Sequence, residues 1–219
     1  KATSLLESFR NEKLKVGEVF DLEQMAKLMA LRAVFGSTEF DVDDMKFYYN
    51  PVTNFLEPIS KEIHSNADRF ITGWNPWVFG NNNLRYSWQE PFLDLLYKDK
   101  VFYERYLSEL NNYSSNQYIS NLVEENKSEF DEVKKILKIN FPTTQLFNYE
   151  DYENISNYIQ NTLNPIQKPY FNVLKVLNNT LEFKTTNTQI LPIEIIGINI
   201  NDQVLDLKSP LFVDGMRLE

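Results

Sequence analysis

The densest cluster of side chains that could do chemistry is acidic and spans Glu39-Phe40-Asp41-Val42-Asp43-Asp44. Carboxylates at this density can bind a divalent cation or act as a general base, and they are also typical of a solvated turn. The cluster is not an EF-hand, because the sixth residue counted from Asp41 is Lys46 rather than glycine and the twelfth is Val52 rather than glutamate. A metal site and a solvated turn both stay open for residues 39–44.

The sequence lacks the residues or motifs that most other catalytic chemistries need. The chain has no cysteine, which excludes thiol nucleophiles, disulfides and zinc sites built on cysteine. His64 is the only histidine, which excludes zinc sites that need two or three. No serine is accompanied by a nucleophile-elbow turn, so we expect His64 to be a hydrogen-bonded loop residue. The six glycines are scattered, so no glycine-rich phosphate loop is predicted.

An aromatic-rich stretch at residues 64–90 has no clear helical or strand period. It contains all three tryptophans, Trp74, Trp77 and Trp88, together with Tyr86. Such side chains can stack on a sugar or a base, and they more often seal a loop over a core. Glycan binding by this segment is therefore one hypothesis for the function, and it requires exposed aromatic faces in one groove.

Two elements frame the acidic cluster. The first is a helix with Asp21 as N-cap, Gln24 three residues later as in a capping box, and Gly36 as its C-terminal glycine. The second is a β-hairpin formed by residues 45–49 and 55–59, because Asn50-Pro51 between them is typical of a turn. Pro58 places the second strand at an edge or at its end.

The rest of the chain predicts an α+β fold. Helical spacing returns at residues 92–110, 116–139 and 149–163, whereas residues 171–177 fit either a helix or a strand. Residues 190–200 are strongly β-like, with 204–207 as their hairpin partner. We therefore predict a mostly helical domain over residues 1–177 and a β-rich segment over 178–219. That segment either packs on the helices or begins a truncated all-β module, since about 40 residues cannot bury a sandwich core alone.

Charge and hydropathy limit the kinds of partner that this chain is expected to bind. The net charge is −9 and the pI is about 4.8, so a nucleic-acid partner is not expected, because phosphate binding needs a basic surface. No apolar run approaches the roughly 20 residues of a membrane-spanning helix. The chain begins with Lys1 and not with Met, so we expect it to be a piece of a longer protein, in which missing targeting signals carry little information.

The order of motifs from Phe20 to Glu62 resembles the CotH kinase family, named after a spore-coat protein. The resemblance lies in the helix that begins Asp21-Leu22-Glu23-Gln24-Met25-Ala26, the acidic turn, and the run Lys46-Phe47-Tyr48-Tyr49-Asn50-Pro51-Val52-Thr53 followed by Phe55-Leu56-Glu57-Pro58-Ile59. Residues 96–106 and 191–197 are similar to later family segments. The resemblance covers about residues 2 to 200.

The resemblance implies a function. CotH proteins are atypical protein kinases, and this chain would be their C-terminal lobe without the N-terminal lobe that grips ATP. The fold would then be a mainly helical kinase-C-lobe-like domain with a β-hairpin, followed by a short β-rich C-terminal segment. The implied cofactors are ATP and Mg²⁺ or Mn²⁺. Glu39 or Asp41 would stand near the attacking hydroxyl, and Asp44 and Glu62 would be the metal ligands.

Glu62 departs from the family pattern, which has aspartate there. The extra methylene matters because Mg²⁺ asks for near-octahedral geometry, so the lobe is either an active kinase or a degenerate pseudokinase. The resemblance also implies a secreted or cell-envelope location, with a protein substrate or an envelope protein as partner. The alternative is a non-catalytic envelope scaffold that makes protein or glycan contacts.

Overall fold

The computed structural model of the chain describes residues 1–37, 45–60, 90–142, 149–164, 169–177 and 180–213. These residues form an α+β fold of helices and antiparallel hairpins, as predicted. The helices are α1 (Ala2–Arg10), α2 (Val16–Val19), α3 (Leu22–Val34), α4 (Glu90–Lys98), α5 (Lys100–Tyr113), α6 (Asn116–Asn140) and α7 (Tyr149–Leu163). The strands are β1 (Lys46–Tyr49), β2 (Leu56–Ile59), β3 (Tyr170–Leu177), β4 (Thr180–Thr186), β5 (Ile193–Ile200) and β6 (Gln203–Val213).

Side-chain caps determine where the principal helices begin. Asp21 accepts a hydrogen bond from the Gln24 backbone N–H at 3.0 Å, and Asp99 accepts one from the Phe102 N–H at 3.0 Å. Each cap satisfies a donor that the first helical turn leaves without a partner. Helix α3 ends at Val34, and Gly36 follows two residues later with a φ of 61°, a conformation that glycine adopts without a steric cost. The predicted start and end of this helix are confirmed.

The core lies where α3 and α5 pack together. Its fully buried side chains include Met25 and Met29 from α3 and Phe102, Tyr106 and Leu110 from α5. Ile155 and Ile159 of α7 are also fully buried and belong to the same cluster. The buried positions on each helix recur at intervals of three and four residues, so the predicted helical spacing is confirmed.

Four phenylalanines join the N-terminal helices to the hairpin. Phe9, Phe20, Phe47 and Phe92 have ring centroids 5.1 to 6.3 Å apart in the contacting pairs, several of them edge to face. Edge-to-face packing places the positive ring edge against the negative face of its neighbour. Because these rings come from α1, the α2–α3 junction, β1 and α4, they fix β1 against the helical core.

The predicted first hairpin is confirmed. Strands β1 and β2 are antiparallel, and their Cα partners run from Lys46 opposite Ile59 to Tyr49 opposite Leu56. The Asp21 N–H donates to the Leu56 carbonyl at 3.1 Å, which ties β2 to the start of α3. The hairpin and the Asp21 helix are therefore parts of one unit.

The C-terminal region forms two more antiparallel hairpins, β3–β4 and β5–β6. Residues 171–177, for which helix and strand were both open, are strand. The start of the β5 hairpin contacts the helices, because Ile190 and Leu191 pack on the core and Lys100 of α5 pairs with Glu194 at 2.8 Å. The predicted boundary at residues 177/178 falls between two strands that pair across it.

No helix in the described ranges is long and apolar enough to cross a membrane. The longest helix, α6, spans 25 residues, but charged side chains recur along it.

Candidate functional site

The four residues assigned to the candidate site lie outside the described residues. Glu39, Asp41 and Asp44 fall between residues 37 and 45, and Glu62 falls between residues 60 and 90. The aromatic segment with Trp74, Trp77, Tyr86 and Trp88, and His64, also fall in that second gap. The structure describes the elements on either side of these two segments. Residues 38–44 lie between α3 and β1, and residues 61–89 lie between β2 and α4.

Both ends of the acidic segment are anchored in the core. Ser37, directly before it, is 1% exposed, and Met45, directly after it, is 7% exposed. The Ser37 hydroxyl oxygen is buried and has no hydrogen-bond partner among the described residues. Buried hydroxyls are normally satisfied, so Ser37 offers hydrogen-bonding capacity at the point where the acidic segment begins.

The hairpin brings the two segments together at its open end. Lys46 at the start of β1 is the Cα partner of Ile59 at the end of β2, and such antiparallel partners lie roughly 4.5–5.5 Å apart. Asp44 precedes Lys46 by two residues, and Glu62 follows Ile59 by three. The structure therefore places the start of β1 beside the end of β2.

The opposite end of the hairpin is stabilised by its own side chains. The Asn50 side-chain oxygen accepts a hydrogen bond from the Val52 N–H at 2.9 Å, and its amide nitrogen donates to Glu57 at 2.6 Å. The Tyr49 hydroxyl donates to the side-chain oxygen of Asn54 at 2.8 Å. Asn54 has a φ of 64°, a left-handed conformation that asparagine tolerates better than most residues. These bonds fix the register that places Lys46 opposite Ile59.

A second polar cluster lies between α3, α4 and α5. Arg32, near the end of α3, is only 3% exposed. Burial raises the pKa of Tyr97 to about 12, and Arg32 and a hydrogen bond with Tyr106 partly oppose this rise. Burial also raises the pKa of Tyr103 and Tyr106 well above the usual value. The three phenols therefore stay protonated near neutral pH and serve as hydrogen-bonding groups.

Tyr103 and Tyr106 fall within the helical spacing predicted for residues 92–110, whereas the predicted helix from Asp21 to Gly36 gives Arg32 no role. The signal that could have identified Arg32 is its spacing, because it follows Met25, Leu28 and Met29 at helical intervals on the buried face of α3. A charged residue on such a stripe is rarely buried without polar contacts.

The described residues alone do not assemble a metal site. No group of three or more histidine, cysteine, aspartate or glutamate side chains that could hold an ion occurs among them. A cation site built on three such side chains would thus have to include residues outside the described ranges.

Comparison with known proteins adds no relative to this picture, because no protein-family model, no curated protein and no solved structure matches the chain.

Proposed function

We propose that the chain is the C-lobe-like part of a CotH-like atypical protein kinase of the cell envelope or secreted fraction. In this proposal the chain binds ATP with Mg²⁺ or Mn²⁺ through carboxylates of residues 39–44 and through Glu62. The proposal rests on the order of motifs from Phe20 to Glu62, and the pairing of Lys46 with Ile59 supports it.

The pairing of Lys46 with Ile59 supports the proposal because only a few residues separate these positions from Asp44 and Glu62. A residue spans at most about 3.6 Å, so Asp44 stands within about 7 Å of Lys46 and Glu62 within about 11 Å of Ile59. Because Lys46 and Ile59 are neighbours across the hairpin, the connecting chain lengths allow both carboxylates to approach a single cation.

Phosphoryl transfer needs few groups from the protein. It requires a divalent cation held against the phosphates and a carboxylate that orients the attacking hydroxyl. In our assignment Asp44 and Glu62 are the cation ligands, and Glu39 or Asp41 accepts the proton of a hydroxyl on a protein substrate. The net charge of −9 favours a protein partner over a nucleic acid.

A thermal-shift titration of the natural full-length protein with ATP and Mg²⁺ or Mn²⁺ tests this function. A ligand that binds only the folded state at 100 times its Kd adds about 2.7 kcal/mol to the free energy of unfolding. For a domain of this size we expect a rise in Tm of about 5–10 °C. Glu62→Gln should remove most of that rise, whereas Glu129→Gln, an exposed acid of α6, should keep it.

Glu62→Asp separates an active kinase from a degenerate lobe. The substitution restores the shorter carboxylate that the family pattern has at this position. If the extra methylene weakens cation binding, this variant should show a larger nucleotide-dependent Tm rise and faster phosphate transfer to a protein substrate than the natural chain. An unchanged Tm rise in the variant would remove Glu62 from the ligand set.

The second candidate is a non-catalytic envelope scaffold. It is favoured by large apolar side chains that remain exposed on the C-terminal strands, among them Tyr170, Val176, Ile196, Val204 and Phe212. Exposed apolar side chains that recur along one strand, such as Tyr170 and Val176 of β3, are typical of contact surfaces. The absence of any Tm shift at millimolar nucleotide would favour this function over the kinase.

A further inference from the structure

Strand β3 exposes most of its apolar side chains. Six of its eight residues are large and apolar, and each is between 48% and 71% exposed: Tyr170, Phe171, Val173, Leu174, Val176 and Leu177. Within the described residues its only ladder partner is β4, so one edge of β3 is open. Native proteins rarely leave a long apolar edge strand uncovered, because such an edge pairs with other chains.

The order of polar and apolar residues in β3 is the same in both directions. From Tyr170 to Leu177 the strand has two apolar residues, Asn172, two apolar residues, Lys175, and two apolar residues. Consider two copies of β3 paired antiparallel about a twofold axis between residues 173 and 174. Asn172 then faces Lys175 of the second copy, and every other pair is apolar against apolar. A twofold interface requires this kind of self-complementarity.

Charge also favours a second copy at this strand. The described parts of the two C-terminal hairpins, residues 169–177 and 180–213, contain three lysines and four acids, so nearly all of the net charge of −9 lies elsewhere in the chain. In the antiparallel register the two copies of Lys175 stand three residues apart along the strands, about 10 Å, which is near the screening length at physiological salt. Two copies that meet through β3 therefore bring few like charges close together.

A register shift lies at the centre of this pairing. The ladder between β3 and β4 is irregular between Val173 and Lys175, and an irregularity of this kind bends a strand and increases its twist. Pairing between two copies therefore divides into two short runs. Residues 170–172 of each copy lie beside residues 175–177 of the other, one run on each side of the axis.

The apolar area of β3 determines how strong such a contact can be. Six side chains exposed by about half or more present at most roughly 600 Å² per copy, and edge pairing buries only part of it, because the side chains of a strand project from the two faces of the sheet. A standard interface buries about 800 Å² per partner, so β3 alone supports a reversible contact with a micromolar Kd and not an obligate dimer.

We propose that β3 is a self-association edge, through which two copies of this chain pair antiparallel with Asn172 opposite Lys175. The two short paired runs join the β3–β4 hairpins of both copies into one four-stranded sheet.

Sedimentation velocity at about 1–300 μM protein measures the contact. We expect a concentration-dependent dimer with a Kd of tens of micromolar. Val176→Lys should raise the Kd by about tenfold or more, because it places a second cation in the apolar part of the contact. Val101→Lys, on a side chain of α5 that is 63% exposed against 71% for Val176, is the matched control and should change the Kd less than twofold. Circular dichroism should show that both variants fold like the natural chain.

Two results would overturn the proposal. A chain that stays monomeric up to the highest concentration has no such edge, and this is also the result expected if β3 instead receives a strand of a different protein. Equal weakening by Val176→Lys and Val101→Lys would mean that the contact lies elsewhere.

Disulfide trapping tests the register independently, because the natural chain has no cysteine. Antiparallel partners lie roughly 4.5–5.5 Å apart between Cα atoms, within the range for a disulfide. An equimolar mixture of Asn172→Cys and Lys175→Cys chains should form covalent dimers several-fold faster under mild oxidation than either variant alone. Equal rates in the three samples would overturn the antiparallel pairing.

Discussion

Arg32 and three tyrosines form a polar cluster between the principal helices, in which Arg32, Tyr103 and Tyr106 are buried and Tyr97 is half-buried. Arg32 comes from α3, Tyr97 from α4, and Tyr103 and Tyr106 from α5. The Tyr97 and Tyr106 rings lie 5.3 Å apart between centroids and the two hydroxyls share a hydrogen bond. A buried cation close to neutral phenols is stabilised by their dipoles and would be costly without polar surroundings. The cluster therefore specifies how α3, α4 and α5 fit together.

Alkaline unfolding should report on this cluster. Burial raises the pKa of Tyr97 to about 12, whereas tyrosine in an unfolded chain has a pKa near 10. The folded state holds its proton more tightly, so this stabilisation is complete below pH 10 and is lost as the pH rises from 10 to 12. Tyr97→Phe should reduce the fall in unfolding free energy over this window by up to about 1.4 kcal/mol per pH unit.

Urea unfolding at several pH values measures that slope. Between pH 7 and pH 9 the variant and the natural chain should give parallel curves, offset by about 1 kcal/mol for the lost hydrogen bond with Tyr106. A variant whose stability falls above pH 10 as steeply as that of the natural chain would show that Tyr97 does not titrate in this window.

At the scale of elements, the β1–β2 hairpin decides whether the candidate site can form. Its open end carries Lys46, close after the acidic residues 39–44, and Ile59, three residues before Glu62, and its closed end is fixed by Asn50. The hairpin is only four residues long on each side, and an isolated pair of this size is marginally stable in water. Its stability therefore depends on Phe47 against the helices and on the bonds of Asn50.

Asn50→Ala should weaken both the fold and the site. The substitution removes the acceptor for the Val52 N–H and the donor to Glu57, and we expect a loss of about 1–2 kcal/mol in the free energy of unfolding. Because the register at Lys46 loosens, the ATP-dependent rise in Tm should also become smaller. Asn121→Ala on α6, which removes an exposed hydrogen bond from Gln117, is the control and should affect neither quantity. An unchanged ATP-dependent rise in the Asn50 variant would separate the hairpin from nucleotide binding.

The described molecule combines a well-packed helical part with exposed strands. The side chains that are least exposed come mainly from α3, α4, α5 and α7, whereas β3 has none that is buried. Local stability follows this difference, because backbone hydrogen bonds close to solvent open without global unfolding. The helical part is thus the most stable region, and the local stability of the β3–β4 hairpin depends on what its strands contact.

Amide hydrogen exchange should show this gradient across the whole molecule. Amides of α3 and α5 should exchange only through global unfolding, and those of β3 should exchange at least about 100-fold faster in dilute protein. Raising the protein concentration should slow exchange in β3 and leave α3 unchanged, because only β3 gains a partner strand. Exchange in β3 that does not depend on concentration would argue against self-association.

The local elements of the described chain could largely be predicted from sequence. Asp21 followed by Gln24, and Gly36 at the other end, predict α3 because N-caps and C-terminal glycines act within a single turn. Asn50-Pro51 predicts the first hairpin for the same reason. The choice between helix and strand at residues 171–177 could not be made, because Phe171, Val173 and Leu177 fit either period in so short a run.

The candidate site can likewise be predicted only in part from the sequence, because its residue types are local information and its assembly depends on distant segments. The acidic residues 39–44 and Glu62 can be identified as possible ligands from residue type alone. Only the pairing of Lys46 with Ile59 brings the strand ends beside them together, and that pairing depends on packing between distant segments, such as Phe47 against Phe20 and Phe92. The cluster around Arg32 likewise joins residues more than 60 positions apart.

By itself the sequence determined the caps, the turn at Asn50 and the α+β class, because propensity, capping and turn chemistry act over a few neighbouring residues. Only the tertiary structure decided that Arg32 is buried among tyrosines, that Ile190 and Leu191 join the helical core, and that β3 is exposed. Burial is set by which distant surfaces meet, and an apolar residue has the same local pattern whether the surface opposite it belongs to its own core or to a second molecule.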